Sequence, residues 1–398
     1  MLNIVFYFQV HQPYRLKHFN VLDMGTNANY FDNAMNKAVM KKVSEKCYLP
    51  TNKLLLELIK QNEGRFKIAY SITGTAIEQF KLYAPEVLDS FKELVATGHV
   101  ELIGETYFHS LSYLYDTNEF LEQVSMHRDL MKSEFGYFTE TFRNTELIYQ
   151  DSLSDIIYEI EGFKTILTEG VDRILDWRTP LYAYKNYTKT MNLLLKYYKL
   201  SDDIAFRFSN RDWPEYPLTV NKFVNWIDHL TLGEKENHNL FLNLFMDYET
   251  FGEHQWAETG IFDFMKQFPA EVLKRQHLGF ATPKEADTFA NYQQESLSFP
   301  EPVSWADEQR DLSAWLENDM QKNAIETLYE LFYKIKQKGD ENLLRQARML
   351  STSDHFYYMC TKYFQDGDVH KYFSPYDSPD QAYIYYINVL ADLEDRLL

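Results

Sequence analysis

The chain has 398 residues, beyond the size at which a single core usually stops growing, so one barrel-sized unit followed by a smaller one is expected. Its 59 acidic residues outnumber 40 basic ones for a net charge of −19, a balance that repels phosphate backbones and anionic lipid and argues against nucleic acid or a membrane as partner. The two cysteines, Cys47 and Cys360, exclude a disulfide framework and a paired-cysteine metal site.

The first segment, MLNIVFYFQVHQP, has no basic leader and too short an apolar run for a signal peptide. No stretch approaches the roughly 20 apolar residues of a membrane span, so a cytoplasmic location is expected. Leu2 to Val10 reads as a first buried strand, ending at His11-Gln12-Pro13. Phe66 to Ile72 is the second, and Val100 to Ile103 the third, leading into Gly104-Glu105-Thr106-Tyr107-Phe108-His109. Thr141 to Arg143 runs into Asn144-Thr145-Glu146, and Thr165 to Leu167 into Thr168-Glu169-Gly170. Ile204 to Phe208 is an ambiguous sixth strand.

The seventh, from Leu240, ends abruptly in Asp247, Glu249 and His254. An apolar run that stops at acid is the pattern of a strand covered on both faces that delivers carboxylates to a rim. Between these runs lie helical patterns over Asn52 to Gln61, Pro85 to Ala96 and Asn118 to Phe135, the last with Asn118 as its expected N-cap. Strands alternating with helices imply a parallel α/β sheet, and polar residues at carboxyl-terminal strand ends suit a barrel of the TIM type with seven strands rather than eight.

Thr282-Pro283-Lys284-Glu285 is a capping box with proline at the first helical position, a structural signal. Phe299-Pro300-Glu301-Pro302 then punctuates the chain, and no clear strand follows. Apolar residues at spacings of three and four from Trp305 to Lys336 predict one long amphipathic helix. Ser378-Pro379 opens a last helix through Leu397. The expected organisation is a barrel over residues 1–300 and a helical unit over residues 301–398.

A lone strand-end acid is usually a helix cap or a salt-bridge partner. Glu105, Glu146, Glu169, Asp247 and Glu249 at equivalent ends are different, because mutual repulsion makes an idle acidic cluster costly. Two carboxylates on different strand ends suit glycoside cleavage, where one attacks the anomeric carbon and the other protonates the leaving oxygen. Arg143 and Asn144 would keep Glu146 ionised if they turn inward, and burial beside Glu249 would hold Asp247 protonated. Aromatic residues form 16% of the chain, a supply of rings for packing or for the apolar faces of sugars. His11, His109 and His254 each follow a strand, yet they lack paired spacing and an aspartate beside the first, so no metal and no cofactor is expected.

His11-Gln12-Pro13, Gly98-His-Val-Glu-Leu-Ile-Gly leading to His109, Asn144-Thr-Glu-Leu, Met246-Asp-Tyr-Glu-Thr-Phe-Gly and Ser353-Asp354-His-Phe resemble, in order and spacing, the five motif regions of glycoside hydrolase family 57. The stretch from Trp305 to Trp315 looks like that family's α-amylase branch. The resemblance implies a (β/α)7 barrel followed by a helical bundle, and a retaining attack on α-1,4-linked glucans or maltooligosaccharides. It implies Glu146 as nucleophile and Asp247 as general acid and base, with Gln9, His11, His109, Glu249 and His254 near the cleaved bond. Asp354 would reach in from the helical part. Many members carry histidine where Gln9 stands, and some carry glutamate at His109 and tryptophan at His254. A 4-α-glucanotransferase and a non-catalytic glucan-binding protein are the alternatives, and the sequence fixes no oligomeric state.

Overall fold

In a computed structural model of the protein, residues 1–26, 29–232, 239–289, 296–362 and 374–397 are described. Seven parallel strands form the frame: β1 (Leu2–Val10), β2 (Ile68–Ile72), β3 (Val100–Leu102), β4 (Thr141–Arg143), β5 (Thr165–Glu169), β6 (Asn192–Lys196) and β7 (Leu240–Asp247). Hydrogen bonding runs β3-β2-β1-β7-β6-β5-β4. A parallel bridge between Gly104 and Phe142 then joins β3 to β4 and closes the ring. Gly104 allows that closure, since a Cβ there would lie 2.8 Å from the Phe163 ring.

The sequence order of the strands is the spatial order, as in a βα repeat. Alternation along each strand divides its side chains between two cores. On β1, Val5 and Tyr7 point into the barrel with Ala69, Ile103, Leu167, Leu194 and Phe245. Ile4, Phe6, Phe8 and Val10 face outward against the helices.

The sixth strand is Asn192–Lys196 rather than the Ile204–Phe208 run. That run forms a short π-helix, Asp203–Arg207, continuing the helix Tyr198–Asp202. The sequence NLLLK has no β-branched residue, and leucine serves helix and strand alike, so local pattern does not separate them. Similarly, the long helix expected from Trp305 begins only at Asp319, after a short turn over Ser313–Leu316, and runs to Lys338 with Asn318 as its cap. The Pro85–Ala96 helix is as expected. Thr117–Phe135 is capped by Asp116 rather than Asn118. The Thr282 to Glu285 capping box forms, with Glu285 N donating to Thr282 Oγ1 at 3.3 Å and Thr282 N to Glu285 Oε2 at 3.1 Å.

Beyond residue 300, helices Asp319–Lys338, Glu341–Leu350 and Pro379–Asp395 pack together. Leu328, Leu331, Leu350, Tyr386 and Val389 share one core with Phe142, Ile166 and Leu193 on the outer wall of β4 to β6. Buried Glu119 accepts from Arg348 at 2.8 and 3.1 Å and pairs with Lys336 at 2.9 Å, joining a barrel helix to two of these helices. Among the described residues no helix is long and apolar enough to cross a membrane.

Candidate active site

Register sets the height of each rim residue. Gln9 on β1 lies beside Ser71 of β2 on one side and Asp247 of β7 on the other, while Glu169 on β5 lies beside Lys196 on β6. Arg143 ends β4.

Glu146 follows in a one-turn helix, Thr145–Leu147, at φ +56°. That left-handed conformation is uncommon for a side chain with a Cβ and persists only where surroundings enforce it. The enforcement comes from the chain beyond residue 300. Ser353 Oγ donates to Glu146 Oε1 at 2.7 Å, and the Trp305 indole N–H donates to Oε2 at 2.9 Å. The backbone N–H of Trp305 also donates to the Glu146 carbonyl at 3.3 Å.

His109 repeats the pattern. It too has positive φ, +52°, and its carbonyl accepts from Ser353 N at 2.9 Å. Its Nδ1 lies 3.0 Å from Glu105 Oε2 and its Nε2 lies 3.5 Å from Glu146 Oε1. Gln9 Nε2 donates to Glu105 Oε1 at 3.0 Å, and Gln9 Oε1 accepts from Tyr7 and Ser71 at 2.6 and 2.9 Å. A continuous polar chain therefore runs Gln9, Glu105, His109, Glu146. His11 stacks on His109 at 4.2 Å between ring centroids, with Nδ1 at 3.0 Å from Thr73 Oγ1 and Nε2 at 2.9 Å from Asp354 Oδ2.

The charges pull the two central carboxylates in opposite directions. Burial alone would raise Glu146, but the hydrogen bond and charge of His109, helped by Arg143, outweigh it and hold the carboxyl below its ordinary value. Asp247 goes the other way: burial first, then the negative charge of Glu146, pushes it up to about 6. His109, which burial would lower, is raised to about 9 by its hydrogen bonds to Glu105 and Glu146. Glu105 falls to about 2 because that same His109 contact overcomes its burial.

Two details depart from the expected environment. Arg143 does turn inward, but Asn144 donates instead to the Ile148 carbonyl at 3.2 Å, and the hydrogen bonds on Glu146 come from Ser353 and Trp305. After burial, Glu146 rather than Glu249 is the acid that raises Asp247. Glu249 itself, buried against Tyr48 and Gln12, is pushed up to about 8 by burial and by Asp247.

Gln9, His11, His109, Glu146, Asp247 and Asp354 thus meet in one cluster. Glu249 turns behind it toward Tyr48, and His254 N donates to the Glu249 carbonyl at 2.9 Å further along the same loop. Glu169 pairs with Lys196 at 3.6 Å and Arg310 at 3.3 Å. Trp305 and Ser353 belong to motif stretches, yet neither indole nor hydroxyl announces a carboxylate partner in sequence. No group of three or more His, Cys, Asp or Glu among the described residues is arranged to hold a metal ion.

The family model described as glycosyl hydrolase family 57 matches residues 5–300. A protein of Methanocaldococcus jannaschii, provisionally named an alpha-amylase, is 44% identical over 98% of this chain and 84% of its own length. The GH57-type branching enzyme from Pyrococcus horikoshii superposes with a TM-score of 0.71 at 14% identity, covering 99% of this chain and 94% of that one. The 4-alpha-glucanotransferase from Thermococcus litoralis gives 0.65 at 15% identity; the match covers 89% of this chain but 56% of that one. These two likenesses show the fold.

Proposed function

The chain belongs to glycosyl hydrolase family 57 and is a glycoside hydrolase, and from that premise we propose that it cleaves α-1,4-linked glucans by double displacement. Glu146 is the nucleophile and Asp247 the general acid and base. The ionised Glu146 carboxylate attacks the anomeric carbon; as the glycosidic C–O bond breaks, the Asp247 proton passes to the departing oxygen. The resulting glycosyl ester on Glu146 is then attacked by water, whose proton returns to Asp247, and the Glu146 carboxylate is released.

The observation that carries this reading is the opposed tuning of the two carboxylates. A nucleophile must be ionised while its partner is still protonated, and Glu146 is lowered as Asp247 is raised to about 6. Gln9, His11, His109 and Asp354 form the wall nearest the reacting sugar. Glu249 and His254 frame the β7 loop behind that wall. Residues 1–300 act as the catalytic barrel, and residues 301–398 contribute Trp305, Ser353 and Asp354 to the cleft.

The test is Glu146→Gln, which keeps size and most hydrogen bonding. Retained binding of maltooligosaccharide with turnover abolished supports the assignment, whereas unchanged turnover refutes it. Product analysis of the unmodified enzyme on the same substrates separates hydrolysis from 4-α-glucanotransfer, because only transfer yields chains longer than the substrate.

A further inference from the structure

Arg143 is wholly buried at the end of β4, and among the described residues none of its three guanidinium nitrogens has a hydrogen-bond partner. A buried guanidinium ordinarily pairs with a carboxylate through two parallel hydrogen bonds. Acids are at hand: Glu105, Glu146 and Asp247 all feel its charge, yet none forms an ion pair with it. Instead its guanidinium carbon lies over the Trp305 ring, 4.4 Å from the centroid, and over the Tyr7 ring at 5.9 Å.

Placement over rings attracts a guanidinium's charge while leaving its N–H groups unengaged. Trp305 therefore offers its ring to Arg143 and, at 5.5 Å from the centroid, to Lys196 Nζ, and its indole N–H to Glu146 Oε2. A guanidinium bonded directly to Glu146 would add a further charged donor to oxygens that already accept from Ser353 and Trp305, and so weaken their attack on the sugar. We propose that Arg143 is a positioning residue of the cleavage reaction: a cation held by ring faces so that its field acts on Glu146 and Asp247 together while its N–H groups bind neither. The inference rests on the roles given above to those two acids.

The other charged groups facing this pair come from neighbouring elements. His109 and Asp354 act on Glu146 from the β3 loop and the helical part. His109 and Lys196 act on Asp247, which also faces the carboxyl of Glu249 on its own loop, Lys196 being engaged by Glu169 and Asp202. Among these described groups, only Arg143 combines full burial with no hydrogen bond.

The test is the pH profile of kcat/KM on a maltooligosaccharide for the unmodified enzyme, Arg143→Met and Arg143→Lys. Arg143→Met removes a cation that favours ionisation of both acids, so both limbs are expected to move upward together by about one pH unit. Arg143→Lys keeps the charge on a compact group that seeks a direct partner, so its acidic limb stays low while kcat falls about tenfold, the size of one charge-assisted hydrogen bond to be broken. A folded Arg143→Met enzyme in which either limb stays where it was overturns the proposal.

Should thermal melting show that neither variant folds, Trp305→Phe and Trp305→Leu take their place. Both lose the indole donor, and only phenylalanine keeps a ring for the guanidinium. The acidic limb of Trp305→Leu is expected about one pH unit below that of Trp305→Phe, because the freed guanidinium then pairs with Glu146; coincident limbs overturn the proposal. Turnover surviving Glu146→Gln would instead sink the nucleophile assignment, whatever the limbs do.

Discussion

Trp305 holds Glu146 at two points, its backbone N–H on the Glu146 carbonyl at 3.3 Å and its indole N–H on Oε2 at 2.9 Å. Fixing both ends of a residue in a left-handed backbone conformation leaves its carboxylate little freedom to rotate, which is the preorganisation that an attacking group needs. Trp305→Phe keeps the ring and deletes the indole donor. A hydrogen bond to a charged group contributes about 1.5–3 kcal/mol, so kcat/KM is expected to fall about tenfold or more, with the acidic limb of the pH profile moving up. A steady-state profile equal to that of the unmodified enzyme would show that the indole contact is passive.

The pH dependence follows from the two shifts. Glu146 is lowered, so it is ionised at every pH above its depressed value, and activity falls on the acidic side only where it takes up a proton. Asp247, raised to about 6, donates only while protonated. In the free enzyme, which kcat/KM reports, activity is therefore expected to decline as pH rises through about 6. Asp247→Asn cannot donate, and its residual rate should lack that basic limb. An optimum on the alkaline side of neutrality would contradict the role given to Asp247.

Glu249 makes a stability prediction of definite sign. Its folded carboxyl is raised from 4.5 to about 8, so the fold favours the neutral form. That preference is fully present below about 4.5 and is lost progressively as pH rises toward 8, which makes the unmodified protein less stable across this window. Glu249→Gln cannot ionise and still offers an oxygen to Tyr48. The difference in Tm between the variant and the unmodified protein should grow as melting is repeated from acidic to mildly alkaline buffer. A difference that stays constant would place Glu249 in contact with more compensating charge than its partners supply.

Gly104 tests the closure of the barrel. A Cβ at this position would meet the Phe163 ring at 2.8 and 2.9 Å and Thr139 Oγ1 at 3.2 Å, while the backbone of residue 104 pairs with Thr141 and Arg143. Gly104→Ala is expected to destabilise the fold by about 1–3 kcal/mol through overpacking, and Phe163→Leu in the same chain should recover part of the loss. Melting curves of the single and double variants decide it: no recovery would mean that the β3 to β4 seam, rather than the ring, resists the methyl group.

Much of the frame is legible from local pattern. Six strands were recognisable because apolar runs that stop at polar residues have few other uses, and Leu240 to Asp247 is the clearest of them. Asn192–Lys196 was not, because a leucine run without β-branched residues suits a buried helix as well as a strand until its neighbours in the sheet are known. The start of the helix at Asp319 was hidden for a related reason. Leu312, Trp315 and Leu316 keep a helical spacing across a stretch whose loop must bend to bring Trp305 to Glu146.

Sequence by itself determined the residues available for chemistry, the carboxylates Glu146 and Asp247 and the histidines after β1 and β3, whereas Asp354 was reached only through the family resemblance and Ser353 not at all. Side-chain identity and strand periodicity suffice for that, since both are local. Tertiary structure alone decided who touches whom. His11 meets Asp354 across 343 positions and Ser353 meets Glu146 across 207, distances in sequence over which no periodicity operates. The ionisation of Glu146 against Asp247 is likewise a property of the assembled barrel, because desolvation and charge act through space and not along the chain.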